Sequence, residues 1–247
     1  MIVLLTNDDG VNAKGLLVLK KELSRVGQVW AVAPDREQSA TSHSLTLQHP
    51  LRINKIGERF YSIDGTPTDA VMLAVHAILK RRPDILISGI NHGPNMGDDV
   101  SYSGTVAAAM EGTILNIPSI AVSNVNWDAR YFESAARFVR KLAKFVLENG
   151  LPQYTFLNVN VPDRRQAAKG YKITRLGKRV YSDVVIEKID PRGRNYYWIG
   201  EQTPIWEKKA DDTDFAAIKK GYISITPLHL DATDYKAMEE IKSWKKL

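Results

Sequence analysis

The chain has 247 residues, 44% of them hydrophobic and 25% charged, enough to bury a full core in one large domain or in one domain with an appendage. It has no cysteine, which excludes disulfides, thiolate metal sites and cysteine nucleophiles, so any metal must be held by oxygen or imidazole. The formal charge of +6 is concentrated: residues 164–194 hold ten Lys or Arg against Asp183, Glu187 and Asp190, a net of +7, and everything else sums to −1.

Met1 opens directly into Ile2–Leu5, an apolar run that fits a strand buried on both faces at the centre of a parallel sheet. No basic segment precedes it as in a signal peptide, and no apolar run approaches the roughly 18 residues of a membrane span, so a cytoplasmic protein is expected. The strand stops at Thr6-Asn-Asp8-Asp9-Gly10, at its carboxyl end, the edge where open α/β sheets bind ligands. In a straight strand Asp8 and Asp9 would point to opposite faces. Both can reach one point only if the chain turns, which Gly10 permits. At about 4 Å two such charges repel by roughly 4 kcal/mol at an effective dielectric of 20, a repulsion that a cation would relieve. An Asx-type turn containing two aspartates reads equally well from this stretch alone.

A helix is expected over Gly15–Val26, with Gly27 as its C-cap, and then a buried strand over Val29–Ala33 ending at Pro34-Asp35. The hydrophilic run Asp35–Ser44 lies by topology beside the first loop. Arg52–Ile63 reads as two short strands joined at Gly57, an antiparallel insertion, and Asp64-Gly-Thr-Pro67 leads into a helix over Thr68–Lys80. Ile85–Ser88 is a further strand, followed by the loop Ser88-Gly-Ile-Asn91-His92-Gly93-Pro-Asn95-Met-Gly97-Asp-Asp99. Its glycines and asparagines expose backbone N–H groups and hard amide oxygens suited to Mg²⁺ or Mn²⁺, or serve only left-handed turns. Ser103-Gly104-Thr105 then opens a helix to Leu115, whose start offers N–H groups, two hydroxyls and a positive dipole end to a phosphate. The strand Ser119–Ser123, the helix Tyr131–Leu147 and the strand Phe156–Val161 complete a βα rhythm that implies a parallel sheet with helices on both faces.

Beyond Pro162 the rhythm changes. Tyr171–Arg175, Tyr181–Ile189 and Tyr196–Trp206 read as antiparallel strands of a hairpin extension, with turns at Gly177 and Pro191-Arg-Gly193. Tyr222–Thr226 reads as a strand returning to the sheet, and Tyr235–Lys245 as a closing helix after Thr233-Asp234. The division expected is a core over 1–162, a hairpin and oligomerisation arm over 163–220, and a returning strand and helix over 221–247. Several known motifs are missing: there is no P-loop, no Gly-x-Gly-x-x-Gly after the first strand and no Gly-x-Ser-x-Gly elbow. His76 falls within a helix. His43 and His92 fall in the two suspect loops, where they could act as acid or base or be ordinary loop residues.

Thr6-Asn-Asp-Asp-Gly10, Ala33-Pro-Asp-Arg-Glu-Gln-Ser39-Ala, Gly65-Thr-Pro-Thr-Asp69, Ser88-Gly-Ile-Asn91-x-Gly93-x-Asn95-x-Gly97 and Ser103-Gly-Thr105 resemble, in that order and spacing, the SurE family of survival proteins. Gly221-Tyr-Ile-Ser-Ile-Thr-Pro227 matches more weakly. The resemblance implies a three-layer αβα fold and a divalent-metal-dependent phosphatase acting on nucleoside 5′- and 3′-monophosphates, in some members also on polyphosphate. It also implies dimers or tetramers that exchange C-terminal elements. By position it places metal ligands at Asp8, Asp9, Ser39 and Asn95, and phosphate-side residues at Asn91, Ser103, Gly104 and Thr105. Asn7 and Thr41 fall beside the site, and Ser42 and His92 receive no role.

With that placement, one Mg²⁺ or Mn²⁺ per subunit would neutralise a phosphate dianion while Asp8, Asp9 and Asn95 set the catalytic geometry. An aspartyl-phosphate route is disfavoured because Asp-Asp-Gly is not Asp-x-Asp. Two rival classes stay open. One is a nucleic-acid-binding module using the basic arm with Tyr181, Tyr196, Tyr197 and Trp198 as stacking platforms; the other is a non-catalytic nucleotide sensor.

Overall fold

The computed structural model describes residues 1–180, 185–199, 205–206 and 210–244. Its strands are β1 (Ile2–Thr6), β2 (Gln28–Pro34), β3 (Ile53–Gly57), β4 (Phe60–Ile63), β5 (Ile85–His92), β6 (Ser119–Asn124), β7 (Thr155–Val161), β8 (Tyr171–Ile173), β9 (Arg179–Val180), β10 (Val185–Ile189), β11 (Asn195–Ile199), β12 (Ile205–Trp206) and β13 (Ile223–His229). Its α-helices are α1 (Lys14–Leu23), α2 (Pro67–Leu73), α3 (Gly104–Ile114), α4 (Phe132–Asn149), α5 (Asp214–Lys219) and α6 (Tyr235–Lys242). A π-helical turn over Ala74–Ile78 continues α2, and a 3₁₀ turn over Gly97–Ser101 leads towards α3.

Nine strands form one sheet in the order β3-β4-β2-β1-β5-β6-β7-β13-β8. From β4 to β7 all neighbours run parallel; β3 and β13 are antiparallel to β4 and β7. The chain leaves β1 to one side for β2 and returns on the other for β5, which makes the crevice between β1 and β5 a topological switch point. Alternation within the central strands divides the core. Val3, Leu5, Ile85, Ile87, Ile120 and Val122 pack with α1 and α4. Leu4, Leu86, Ala121 and Phe156 pack with α2 and α3. Each of these side chains is fully buried, worth about 1.5–3 kcal/mol apiece for the larger ones. The Rossmann-like three-layer architecture follows from this two-faced burial. No helix among the described residues is long and apolar enough to cross a membrane.

Several boundaries differ from the sequence expectation for local reasons. Helix α1 stops at Leu23 because Ser24 caps it and turns its hydroxyl back onto the Lys20 carbonyl at 2.8 Å, so Gly27 is not the cap. The β3–β4 turn is Glu58-Arg59, with Arg59 at φ 52°, and Gly57 still pairs with Phe60; β4 then joins the main sheet beside β2. Strand β5 runs on to His92 instead of ending at Ser88, because Ile90 is fully buried against the α1 and α4 layer. The pairing with β6 is interrupted between Ser88 and Asn91.

Beyond Pro162, β8 is not part of the hairpin but pairs parallel with β13 inside the main sheet. The hairpin is β10–β11, turned through Asp190, whose side chain accepts from the amides of Arg192 and Arg194. Tyr181 and Asp183 lie outside the described residues, as does Lys245 at the end of the expected last helix. Helix α5 has no counterpart in the sequence reading, being too short to show periodicity, although Thr213 is a plain N-cap for it. The expected return of the chain to the sheet is β13, which inserts between β7 and β8.

Candidate active site

The turn after β1 places Asp8 and Asp9 at the carboxyl edge of the sheet, with Gly10 at φ 97° completing the bend that strand geometry demanded. Asp8 is only 5% exposed. One carboxylate oxygen accepts the Thr105 amide at 3.0 Å and the other accepts the Thr105 hydroxyl, so the carboxylate sits on the start of α3. Gly104 makes that approach fit, since a Cβ there would lie 3.0 Å from both the Asp8 Cβ and the Thr41 hydroxyl oxygen. Burial, and then the neighbouring Asp9 charge, push the Asp8 carboxyl from its ordinary 3.8 up to about 6.

Asp9 turns the other way. Its Oδ2 accepts from the backbone amide of His92 at 3.2 Å and from the imidazole Nδ1 at 3.1 Å. Burial raises its carboxyl, and His92 opposes that rise. The imidazole in turn packs edge-on against the buried Phe132 ring at the start of α4, 4.9 Å between centroids. His92 is therefore an orienting partner of Asp9, a role that spacing along the chain does not reveal. No Lys or Arg pairs with either aspartate among the described residues. Nearby, the buried Asn7 donates to the Gly10 carbonyl at 2.9 Å while its Oδ1 has no hydrogen-bond partner.

The loop after β2 is tied to this pocket. Gln38 donates its amide to the Asp8 carbonyl at 2.8 Å, and Ser42 donates to the Tyr102 carbonyl at 3.1 Å. His43 reaches Glu111 of α3 at 2.7 Å, so it fastens the loop to α3 instead of facing solvent alone. Ser39, between these anchors, donates its hydroxyl to Glu37 at 2.6 Å. Glu37 also lies close enough to Asp9 to add to its charge burden, a carboxylate that the sequence reading passed over inside a polar run.

The loop after β5 carries the remaining candidates. Asn91 is buried and donates to the Gly93 carbonyl at 3.1 Å. Asn95 is held on three sides. Its amide nitrogen donates to Asn160 at 3.0 Å, its carbonyl accepts from Asn158 and Asn160 at 2.8 and 2.9 Å, and its side-chain NH₂ donates to Ser123 at 2.8 Å. With the NH₂ committed to β6, the Asn95 Oδ1 is the acceptor left to face a ligand. Ser103 caps α3 by accepting from Val106 at 3.1 Å, which leaves its O–H as a donor beside the Gly104 amide. Thr105 is engaged by Asp8 on both its donors.

The structure thus brings Asp8, Gly104 and Thr105 into one buried contact set at the β1–β5 switch point, with half-buried Asp9 beside them turned towards His92. Ser39 is joined to it through Gln38 and Glu37. Asn95 and Asn91 belong to the neighbouring loop, braced from β6 and β7. Among the described residues no three His, Cys, Asp or Glu side chains converge as a metal cluster. The available set is two carboxylates with neutral hydroxyl and amide oxygens. Buried Asp8 and half-buried Asp9, with no Lys or Arg partner among the described residues, and an orphaned amide oxygen beside them fit a hard divalent cation such as Mg²⁺ or Mn²⁺.

The chain is similar to known proteins along nearly its whole length. Residues 3–183 match the family model described as survival protein SurE. The chain is 53% identical over 247 residues to a protein of Geotalea daltonii named 5′-nucleotidase SurE, covering 99% of both. It is 51% identical over 246 residues to one of the same name from Geobacter sulfurreducens, covering 99% of this chain and 94% of that one. The crystal structure of the SurE protein from Aquifex aeolicus superposes with a TM-score of 0.87 at 46% identity, over 98% of each chain.

Proposed function

The chain belongs to the SurE family, and from that premise we propose that it is a divalent-metal-dependent phosphomonoesterase hydrolysing nucleoside 5′- and 3′-monophosphates, with short polyphosphate as a further substrate. The observation that carries the reading is the adjacent pair formed by Asp8, buried on the start of α3, and half-buried Asp9, which have no Lys or Arg counter-ion among the described residues. Asp8, Asp9, Ser39 and Asn95 would hold one Mg²⁺ or Mn²⁺, which would supply charge neutralisation for a phosphate dianion. The chain's own part is positional. Thr105 fixes Asp8, His92 fixes Asp9, and Ser123 with Asn160 fixes Asn95, so the acceptors are oriented before substrate arrives. Ser103 and the Gly104 amide offer donors to the phosphoryl oxygens at a helix start that favours anions, and Asn91 of the neighbouring loop is assigned to the phosphate side with them.

Phosphate release from AMP, 3′-AMP and tripolyphosphate, assayed in EDTA and then with Mg²⁺ or Mn²⁺, tests the proposal. Metal-restored turnover is the expected result, together with a higher melting temperature on adding the metal, because a ligand that binds only the folded state stabilises it. AMP binding without phosphate release at any metal concentration would make the protein a nucleotide sensor instead. A second test addresses the fit at α3. Gly104→Ala places a methyl 3.0 Å from the Asp8 Cβ and should lower phosphate release at least tenfold through displacement of Asp8, with a far smaller change in the thermal melt.

We further propose a homodimer or homotetramer built through the 185–199 hairpin and α6. Both carry exposed apolar side chains, among them Ile189 and Trp198 on the hairpin and Ile241 on α6, with Trp244 exposed just beyond it. The same mixture of aliphatic and aromatic groups on the hairpin suits protein contact better than a nucleic-acid backbone, so RNA binding is not adopted.

A further inference from the structure

We propose that Trp127 is the stacking platform for the base of the nucleotide, a specificity element of the site that rests on the nucleotidase reading above. Trp127 follows β6 in a loop at the same edge of the sheet as Asp8 and Asn95, and 62% of its surface is exposed. A large aromatic side chain left open on a catalytic rim needs a reason, and its setting gives one. The indole lies directly over Gly93: a Cβ at that position would fall 2.6–2.8 Å from three atoms of the ring system. Gly93 is the residue whose carbonyl holds Asn91, and it stands two positions before Asn95. The site loop is therefore built around the indole, with one part of the ring seated on backbone and the rest open to solvent.

The loop that carries Trp127 is pinned on both sides. Val125 donates to the Val161 carbonyl at 3.1 Å, and the Asn126 and Asp128 amides are turned by Asn124 and Asn126 side chains. Asp163 then collects donors from Asn124, Asn126, Arg130 and Tyr131 at 2.9–3.2 Å. These contacts hold its carboxyl below the usual carboxylate range despite partial burial. At the far end Phe132 closes against His92, the partner of Asp9. A ring presented from so constrained a backbone gives up little entropy when a planar ligand settles on it.

Position agrees with this role. Strands β1 and β6 are separated by β5 alone, so the loops that follow them start about 10 Å apart, about the length of an extended nucleoside monophosphate. A phosphate at the α3 start would project its base towards the indole. Stacking is tolerant of base identity because every base has a π-face, so the platform would select nucleotides over other phosphomonoesters without selecting among bases.

The test compares AMP with ribose 5-phosphate, which lacks the base, in the wild type, Trp127→Ala and Trp127→Phe. Trp127→Ala should raise KM for AMP by about 5- to 100-fold, the worth of one base–aromatic stack, and lower kcat/KM for AMP at least fivefold more than for ribose 5-phosphate. Trp127→Phe should recover most of the loss. Equal effects on both substrates, or none on either, would overturn the assignment. So would a changed oligomeric state in Trp127→Ala, by sedimentation velocity, with an unchanged substrate ratio, since the ring would then be a subunit contact. Equilibrium binding of AMP in EDTA separates the two levels of the argument. If the wild type releases no phosphate but Trp127→Ala weakens AMP binding to the same degree, the catalytic reading fails and the platform stands; if turnover is normal and binding is unaffected, the platform fails alone.

Discussion

Asp8→Asn will abolish metal-dependent phosphate release, by at least a thousandfold, and will at the same time make the metal-free protein more stable at pH 8. The two effects come from one atom change. Asn is nearly isosteric, its Oδ1 can still accept the Thr105 amide, and the Thr105 hydroxyl can rotate to accept from the new NH₂, so the fold loses little. What disappears is a buried negative charge next to Asp9. Burial and Asp9 raise the folded-state pKa of Asp8 to about 6 from an ordinary 3.8. A carboxyl with a raised folded-state value favours the folded state while protonated, and that contribution is lost as pH climbs through the interval to about 6. At about 1.4 kcal/mol per pH unit the relief in Asp8→Asn is capped near 3 kcal/mol at pH 8. It should vanish by pH 4, where the wild-type carboxyl is protonated. Thermal melts in EDTA at pH 4, 6 and 8 read this directly. With Mg²⁺ or Mn²⁺ the order should reverse at pH 8, because only the wild type gains the bound ion. A variant that keeps normal turnover would remove Asp8 from the site, and one that melts lower than wild type at pH 8 in EDTA would remove the charge argument.

A site that is costly to its own fold is a sign of function more often than of structure, and the route by which each of its residues becomes visible differs. Asp8, Asp9 and Ser103 are legible in sequence because local chemistry marks them: a buried strand that ends on two acids, and a hydroxyl residue directly before an alanine-rich helix. The two-faced sheet is legible for a similar reason, since runs such as Ile2–Leu5 and Ile85–Ile87 leave no polar face. The braces are not legible. Thr105 meets Asp8 across 97 residues, Asn160 meets Asn95 across 65, and neither partner carries a local signature. Helix α5 is too short for any period and is ordered by Gly97 and Gly177 instead, and although Tyr171–Arg175 reads as a strand, nothing local marks its pairing with β13 in place of the hairpin. His92 receives no role from the sequence, and nothing in the sequence singles out Trp127. Only the fold shows that one orients Asp9 and that the other lies on Gly93.

Asp214 is the furthest removed of these braces and the one whose loss should be felt most by the fold. It is fully buried in the first turn of α5, with one oxygen accepting from the Gly97 amide at 2.8 Å and the other from the Gly177 and Phe215 amides at 2.9 Å. Burial raises its carboxyl even though all three N–H groups pull it down, so the carboxylate is kept at a cost. The return is geometric: Gly97 stands two residues after Asn95, at φ 55°, where a Cβ would meet the Gly177 carbonyl oxygen at 2.8 Å. Asp214 thereby pins the end of the Asn95 loop to the 163–220 segment. Removing the carboxylate in Asp214→Ala returns some of the burial cost but leaves the Gly97 and Gly177 amides without partners, at about 1–3 kcal/mol each. A net loss of about 2–4 kcal/mol follows, which for a chain of this size lowers the melting temperature by roughly 5–15 °C. At temperatures where the variant is still folded, the metal concentration needed for half-maximal phosphate release should rise about 10- to 100-fold, the usual effect of losing support behind a ligand. Asp214→Asn keeps one oxygen for Gly177 and Phe215 but turns an NH₂ towards the Gly97 amide. It should therefore recover stability more than metal affinity. If Asp214→Ala melted with the wild type and kept its metal dependence, Asn95 would have to be held by Ser123, Asn158 and Asn160 alone.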